Sequence, residues 1–361
     1  MMKNFLAKLI PGKIIPCSAL DIGTRETKLV SLLHEGGAPV VTHTVRYPTP
    51  PGFWTEDIYR ESNCTYLQEV MLQHDPAGTP IISVIGGDSV ITRHVSLPKA
   101  AKKELTGAVI KEAQKVVPSG SKDLLVRYIV LGEPEDKKEL EVLFAALPLS
   151  ISYQYHALLK RCGFELVALD LPAIALWRLF RNELAQNEDA AAAIIDIGES
   201  KTCMLIAKGQ HLQYTRMMPG GGDLLNSSMA DVFAINTEQA RIMKEDLGAI
   251  LDAGSLAGAD ATARQIDLSL RDGLGQIIKE IRRSIDFYIT RGNAAPLKQV
   301  ILSGGTSKLN GFEQFISEAL DLPASLTKPT SILFDASGQL SYDPAMAIAY
   351  GLALRELQAN V

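Results

Sequence analysis

Residues 14–33 hold two apolar runs parted by a polar turn: the first ends in Leu20-Asp21-Ile22-Gly23, and Lys28-Leu29-Val30-Ser31-Leu32 resumes the pattern. This predicts two strands joined at Gly23. Beyond a Pro-rich loop at 47–52 the pattern predicts a helix reaching Gln73, a buried strand over 80–87 closing on Gly86-Gly87, and a further strand over 90–97. A helix over 99–116 and strands over 126–131 and 139–146 complete a small α+β unit with the look of an insertion. Helices over 150–162 and 173–184 flank a strand over 164–169, and the polar segment 186–189 marks a boundary.

After that boundary the opening pattern returns. Residues 190–195 are apolar, Asp196-Ile197-Gly198 forms a turn, and 203–207 is apolar again. At an offset of 175, Asp21, Ile22, Gly23 and Thr27 fall on Asp196, Ile197, Gly198 and Thr202. The shared strand, turn and strand spacing predicts two related half-molecules. The second half continues with a small-residue-rich loop over 253–263, a strand and glycine turn over 300–305, and helices over 311–320 and 344–357.

A strand that ends in Asp before a glycine turn suits a phosphate, because the turn exposes backbone N–H groups and the carboxylate can hold the waters of a magnesium ion. One such turn is no more than an ordinary hairpin; two in related halves can face each other across one polyphosphate. Pro219-Gly220-Gly221-Gly222-Asp223 before a helix and Leu302-Ser303-Gly304-Gly305-Thr306-Ser307 supply two more glycine turns, the first at a helix N-terminus that favours an anion. The phosphate motifs GxxxxGK[ST] and GxGxxG are absent, which disfavours P-loop and Rossmann enzymes.

Composition narrows the rest. Lys and Arg number 36 against 41 Asp and Glu, a net charge of -5, so nucleic acid is not the expected partner. Cys17, Cys64, Cys162 and Cys203 stand far apart and the six histidines are scattered, so no zinc or iron–sulfur site is expected. No apolar run is long enough to span a bilayer and no signal peptide is evident, so the expected location is cytoplasmic. Phe5, Leu6, Leu9 and Ile10 would share one apolar face if the N-terminus formed a short helix, but a frayed or locally packed terminus is the expected reading.

The order of Leu20-Asp21-Ile22-Gly23, Asp196-Ile197-Gly198, Pro219-Gly220-Gly221-Gly222 and Ile301-Leu302-Ser303-Gly304-Gly305 resembles the actin-like ATPase superfamily. Within it the chain is similar to the PilM family of type IV pilus assembly. That likeness rests on 82–98, on the helix 104–117 with Pro118, on 142–148 with Gly163-Phe164-Glu165, and on 281–288, 302–312 and 347–356. It implies an α/β actin-like ATPase fold of two related halves with an inserted small α+β subdomain. Residues 14–88, 163–186 and 340–361 would form the first core subdomain and 89–162 the inserted, partner-binding one. Residues 187–231 with 296–339 would form the second core, and 232–295 would cap the nucleotide.

The resemblance also implies ATP and Mg2+ as cofactors. Asp21, Gly23, Thr24, Arg25 and Lys28 would line the first phosphate turn, and Asp196, Gly198, Glu199, Ser200 and Lys201 the second, with Asp21 and Asp196 meeting magnesium through water. Gly221 and Gly222 would approach phosphate, Arg241 and Lys244 the nucleotide from a helix, and Gly304, Gly305 and Ser307 the adenosine. The implied partners are the cytoplasmic N-terminal peptide of a PilN-like inner-membrane protein, other pilus platform proteins and a homo-oligomer, which would hold the chain at the inner face of the membrane.

Three departures from the family pattern stand out. Thr24-Arg25-Glu26-Thr27 carries large charged residues where small serines are usual, Arg241 replaces an acidic residue, and Pro172 stands where a glutamate is common. Proline cannot orient an attacking water, so hydrolysis is expected to be slow or absent, and Asp170 is read as a structural carboxylate. The alternatives are an FtsA-like membrane-associated filament protein and a sugar-kinase-type phosphotransferase.

Overall fold

The computed structural model describes residues 17–35, 38–54, 58–73, 80–87, 90–100, 102–117, 123–131, 138–186, 188–290, 294–334 and 340–358. The N-terminal apolar residues Phe5, Leu6, Leu9 and Ile10, and the start expected at residue 14, lie outside them. The first half runs β1 (Ser18–Ile22), β2 (Glu26–Glu35), β3 (Ala38–Pro48), α1 (Glu61–Leu72) and β4 (Ile81–Val84). The chain then makes β5 (Ile91–Pro98), α2 (Lys102–Val116), β6 (Leu124–Val130) and β7 (Glu139–Pro148), and returns through α3 (Leu149–Arg161), β8 (Leu166–Asp170), α4 (Pro172–Leu179) and α5 (Arg181–Ala185).

The second half is β9 (Ala191–Ile197), β10 (Lys201–Lys208), β11 (His211–Pro219), α6 (Gly222–Phe233), α7 (Thr237–Leu247), α8 (Ala253–Gly258), α9 (Ala261–Ile289), β12 (Leu297–Ser303), α10 (Phe312–Leu320) and β13 (Ala324–Leu326). Then β14 (Leu333–Phe334) and α11 (Ala347–Gln358) cross back to the first half.

The two large sheets repeat one plan. Strand order β3-β2-β1-β4-β8 in the first matches β11-β10-β9-β12-β13 in the second, with the first three strands antiparallel and the last two parallel additions. β1 and β9 sit in the sheet interiors and are buried along their whole length, which is why SALDI and AAAIIDI read as continuous apolar runs rather than alternations. The shared threonine has a common place: Thr27 pairs with Ile22 and Thr202 with Ile197, both fully buried. Their hydroxyls pin the following strand, Thr27 to the Thr49 hydroxyl at 3.0 Å and Thr202 to the Gly220 carbonyl at 2.8 Å.

Helices α4 and α11 lie between the sheets. Ala175, Leu176 and Leu179 of α4 and Ala349, Leu352 and Ala353 of α11 share one core with Ala19 and Val30 of the first sheet and Ile194 and Leu205 of the second. The outer face of the first sheet is covered by α1 and α3, and that of the second by α6 and α9. The three-stranded sheet β5-β7-β6 packs on α2 through Leu105, Val109, Val142 and Phe144 as a separate small core.

Four features differ from the sequence expectation. α3 falls in the stretch assigned to the inserted unit, yet Tyr155, Leu158 and Leu159 pack with Leu20, Leu29 and Leu67, so it belongs to the first half. β14 pairs with β3, so its residues add to the first sheet rather than the second. The segment 253–263 is not a loop: Asp252 accepts from Ser255 N at 2.7 Å and Asp260 from Ala263 N at 2.8 Å, and these caps start α8, despite its two glycines, and α9. The helix expected over 173–184 is broken at Phe180 into α4 and α5.

The inserted unit also touches the second half. His94 of β5 stacks on Tyr214 of β11 at 5.1 Å between ring centroids, and its Nε2 accepts from Thr215 N at 3.2 Å.

The α4–α11 crossing depends on Gly351, where a Cβ would stand 2.0 Å from the Ala175 carbonyl oxygen. Gly351→Ala should therefore push the helices apart and cost about 2 kcal/mol of stability. Gly275→Ala on the open face of α9, where a Cβ meets nothing within 4 Å, should be neutral or gain up to about 1 kcal/mol. Thermal melts of both variants check this, and equal midpoints would contradict it.

Candidate functional site

At the C-terminal ends of β1 and β9 the two halves present matching turns. Gly23 N donates to Glu26 O at 3.0 Å, and Gly198 N donates to Lys201 O at the same 3.0 Å. These closures aim the intervening residues across the cleft, where the hydroxyls of Thr24 and Ser200 are hydrogen-bonded at 2.8 Å. The backbone N–H groups of Thr24, Arg25, Glu199 and Ser200 have no acceptor among the described residues, so both turns offer donors to an anion.

Behind the turns lie two buried carboxylates and one ammonium. Lys28 pairs in register with Asp21, and its Nζ stands 3.7 Å from Asp21 Oδ2. Burial raises the Asp21 carboxyl above its usual range, with Lys28 opposing. Burial likewise pushes Asp196 up to about 6, opposed by Lys28 and by the Ser303 hydroxyl and reinforced by the charge of Asp21. One ammonium shared by two desolvated carboxylates leaves an excess of negative charge and hard oxygen donors, a set that fits a hydrated divalent cation.

The second half supplies the remaining wall. Lys244 of α7 is buried and donates to Gly222 O at 3.2 Å; burial lowers its pKa while Glu199 opposes the fall. Burial raises the Glu199 carboxyl, countered by Lys244 and Arg25. Asn226 Nδ2 donates to Glu199 Oε1 at 3.2 Å, while Asn226 Oδ1 is buried with no partner among the described residues and fits a ligand hydroxyl. Gly304 N donates to Pro344 O at 3.0 Å, which ties this turn to the segment leading into α11.

Several expected contacts take a different form. Gly221 N is bound by Asp223 Oδ1, Gly222 N by Gly198 O and Asp223 N by Glu199 O, so the leading N–H groups of α6 are engaged within the protein. A Cβ on Gly221 would lie 2.4 Å from Gly198 O; glycine is required there for the turn to lie against the second phosphate turn. Ser307 is fully buried and donates to Gly304 O at 2.6 Å, shaping its turn from within. Arg241 is held by Glu238 at 2.6 Å and Glu245 at 2.5 Å. Lys201 reaches across to Gly87, where a Cβ would meet its Nζ at 3.2 Å.

The family model of the type IV pilus assembly protein PilM matches residues 19–357. The chain is a member of the PilM family. Among solved structures it is similar to the PilM–PilN type IV pilus biogenesis complex, with a TM-score of 0.82 at 23% identity, covering 96% of this chain and 100% of that one. MreB5 of Spiroplasma citri bound to ADP gives 0.55 at 12% identity, covering 96% and 97%. These likenesses establish the actin-like ATPase fold. The cell division protein FtsA of Neisseria meningitidis serogroup B is 23% identical over 190 residues, 47% of this chain and 44% of that protein. FtsA of Pseudomonas aeruginosa is 23% identical over 215 residues, 56% and 51%. The chain spans about half the length of the curated relatives it matches.

The departures noted in the first PilM-type turn acquire partners here. Glu26 is held by Arg46 through Nη2 at 2.8 Å and Nε at 3.2 Å, so its charge is countered rather than aimed at a ligand. Arg46 also binds Asp343 at 2.5 Å, which Lys308 approaches at 3.4 Å. Asp170 accepts from Leu171 N at 2.9 Å and from Arg178 at 2.8 Å, the structural role expected of it. Pro172 occupies the first turn of α4. Residues that sequence reasoning missed include Trp54, whose indole donates to Ile22 O at 3.1 Å, Asn226, Glu238 and Thr306, whose hydroxyl donates to Gly198 O at 3.3 Å. No spacing rule connects these to the glycine turns.

The Asp196 shift sets a pH dependence. Its folded pKa lies above the usual 3.8, so the fold binds the proton more tightly than the unfolded chain. The corresponding stability is present below about pH 4 and lost as pH rises through about 6, roughly 3 kcal/mol in all. In buffer free of magnesium and nucleotide, Asp196→Asn should be more stable than the parent at pH 7 and should lose that advantage by pH 4. Denaturant titrations across this range check it; a pH-independent difference would contradict it.

Proposed function

We propose that the protein is an ATP-binding scaffold of type IV pilus assembly. In this reading Mg-ATP lies between the two turns and fixes the angle between the halves. The single observation that carries it is the pair of facing turns, bridged by Thr24 and Ser200 over a buried Asp21–Lys28–Asp196 group, in a chain that the PilM family model matches from 19 to 357. The excess of carboxylate over ammonium supports a magnesium ion held through water by Asp21 and Asp196. The N–H groups of Thr24, Arg25, Glu199 and Ser200 suit the phosphates, with Gly23 and Gly198 permitting their approach. Lys244, Asn226 and the turn at Gly304 and Gly305 suit the ribose and base, and Gly221 and Gly222 serve by leaving room.

Turnover is slow or absent in this account, because Pro172 has no group to activate water and Asp170 is held by Arg178. The chain's partner is the cytoplasmic N-terminal peptide of a PilN-like inner-membrane protein, held in a groove between the first half and the inserted unit. Other pilus platform proteins assemble on the same scaffold. Among the described residues no helix is long and apolar enough to cross a membrane, so recruitment to the inner face would run through that partner. The His94 contact with Tyr214 and Thr215 supports a link between cleft angle and groove, since it joins the inserted unit to the half that carries the second turn.

The test is a titration of a labelled PilN-like N-terminal peptide into the full chain, with and without Mg-ATP. Nucleotide should tighten peptide binding about fivefold or more. Asp196→Ala should bind the peptide without that response. No peptide binding in either condition would overturn the partner assignment, and binding indifferent to nucleotide would overturn the coupling.

A further inference from the structure

Arg25 occupies the tip of the first turn, one residue past Thr24, where the two halves touch at 2.8 Å. Its guanidinium reaches over the cleft to Glu238 in the first turn of α7, at 3.7 Å. That distance is an ion pair without a hydrogen bond, between a half-buried Arg25 and an exposed Glu238, so the contact holds loosely. Glu238 does not depend on it, because Arg241 donates to both Glu238 oxygens at 2.6 and 3.0 Å and binds Glu245 with its remaining arm. Arg25 can leave Glu238 without stranding a carboxylate. It also lies within electrostatic reach of Glu199 in the second turn.

We propose that Arg25 is the residue that distinguishes a nucleoside triphosphate from a diphosphate, exchanging Glu238 for the terminal phosphate. The inference rests on the nucleotide reading above and adds to it the element that reads the phosphate count. A diphosphate would be held chiefly by the second turn, whereas a third phosphate reaching toward the first turn would bring a doubly charged acceptor beside a guanidinium whose closest described carboxylate, Glu238, stands beyond hydrogen-bond range. Arginine binds phosphate in a charge-assisted, bidentate manner, so the exchange favours the triphosphate. When Arg25 turns inward, the bridge from the first turn to α7 opens. The tip of α7 is then tied to the first half only while the terminal phosphate is missing. Charge count at the site becomes a change in how the two halves are joined.

The account makes Glu238 a competitor of the terminal phosphate, which a merely structural ion pair would not be. Four forms of the full chain decide it: the parent, Arg25→Ala, Glu238→Gln and the double variant, each titrated calorimetrically with the magnesium complexes of AMPPNP and of ADP. Unchanged circular dichroism melts confirm folding, and both positions are exposed enough for the variants to fold. Arg25→Ala should weaken AMPPNP binding about tenfold or more, while ADP affinity stays within about twofold. Glu238→Gln should tighten AMPPNP binding about two- to fivefold with little effect on ADP, and this gain should vanish when Arg25 is also replaced.

Equal losses for AMPPNP and ADP in Arg25→Ala would overturn the proposal, as would weaker AMPPNP binding in Glu238→Gln. A gain in Glu238→Gln that persists in the double variant would likewise remove the exchange. A parent that binds ADP and AMPPNP, with variants that match it, leaves the nucleotide site standing and removes Arg25 from it. A parent that binds neither overturns the nucleotide reading and the proposal together.

Discussion

Two buried carboxylates around one lysine set the terms for everything else in this fold. Asp21 and Asp196 close the central strands of two sheets, and both are desolvated where those sheets come together. Lys28 counters them only in part, from 3.7 Å on Asp21 and by charge alone on Asp196. A fold with no use for such an arrangement would replace the aspartates with apolar residues, since unpaired buried charge is costly. Desolvated carboxylates beside converging backbone donors are what the proposed nucleotide reading rests on, and in that reading the cation of Mg-ATP would offset the carboxylate charge while the donors met the phosphates.

The rest of the architecture holds these groups in place while leaving the halves joined by narrow contacts. α4 and α11 fill the space between the sheets with alanine, leucine and one obligatory glycine, so the sheets are braced at their centres. At the cleft the joints among the described residues are smaller; they include the Thr24–Ser200 hydroxyl pair, the loose Arg25–Glu238 ion pair, the Gly304–Pro344 backbone bond and the Arg46–Asp343–Lys308 cluster. Leu131 and Leu143 of the inserted unit pack into the core between the sheets, and His94 ties the unit to the second half. In the proposed reading a change of cleft angle would therefore have a short route to the inserted sheet.

Much of this was legible in the sequence. The repeated Asp-Ile-Gly turn with its threonine, spaced identically in both halves, disclosed the duplication, and the structure puts the repeated residues in matching places, with the two glycines closing their turns alike. What stayed hidden depends on partners far away in the chain. The glycines at 221 and 222 suggested free anion donors, but only the folded turn reveals that Gly198 and Glu199 already accept from that backbone. Glu26 stood out as a charged residue in the first turn, but only the fold shows that Arg46, brought beside it by β3, counters that charge. The run at 253–263 has the small residues of a loop and the caps of two helices, and the caps decided. β3 and β11 escaped notice because each is exposed along part of its length and lacks the apolar run that marks β1 and β9.

The most direct test of the central claim is to ask what the cleft holds. The protein would be purified gently in magnesium, denatured with acid, and any released nucleotide identified and counted per chain, with Asp196→Asn treated in parallel. The account expects ATP, largely intact and approaching one per chain from the parent, and little from the variant. A parent that releases none and fails to take up added Mg-ATP would contradict it, leaving an actin-like fold whose buried carboxylates serve some purpose other than a nucleotide.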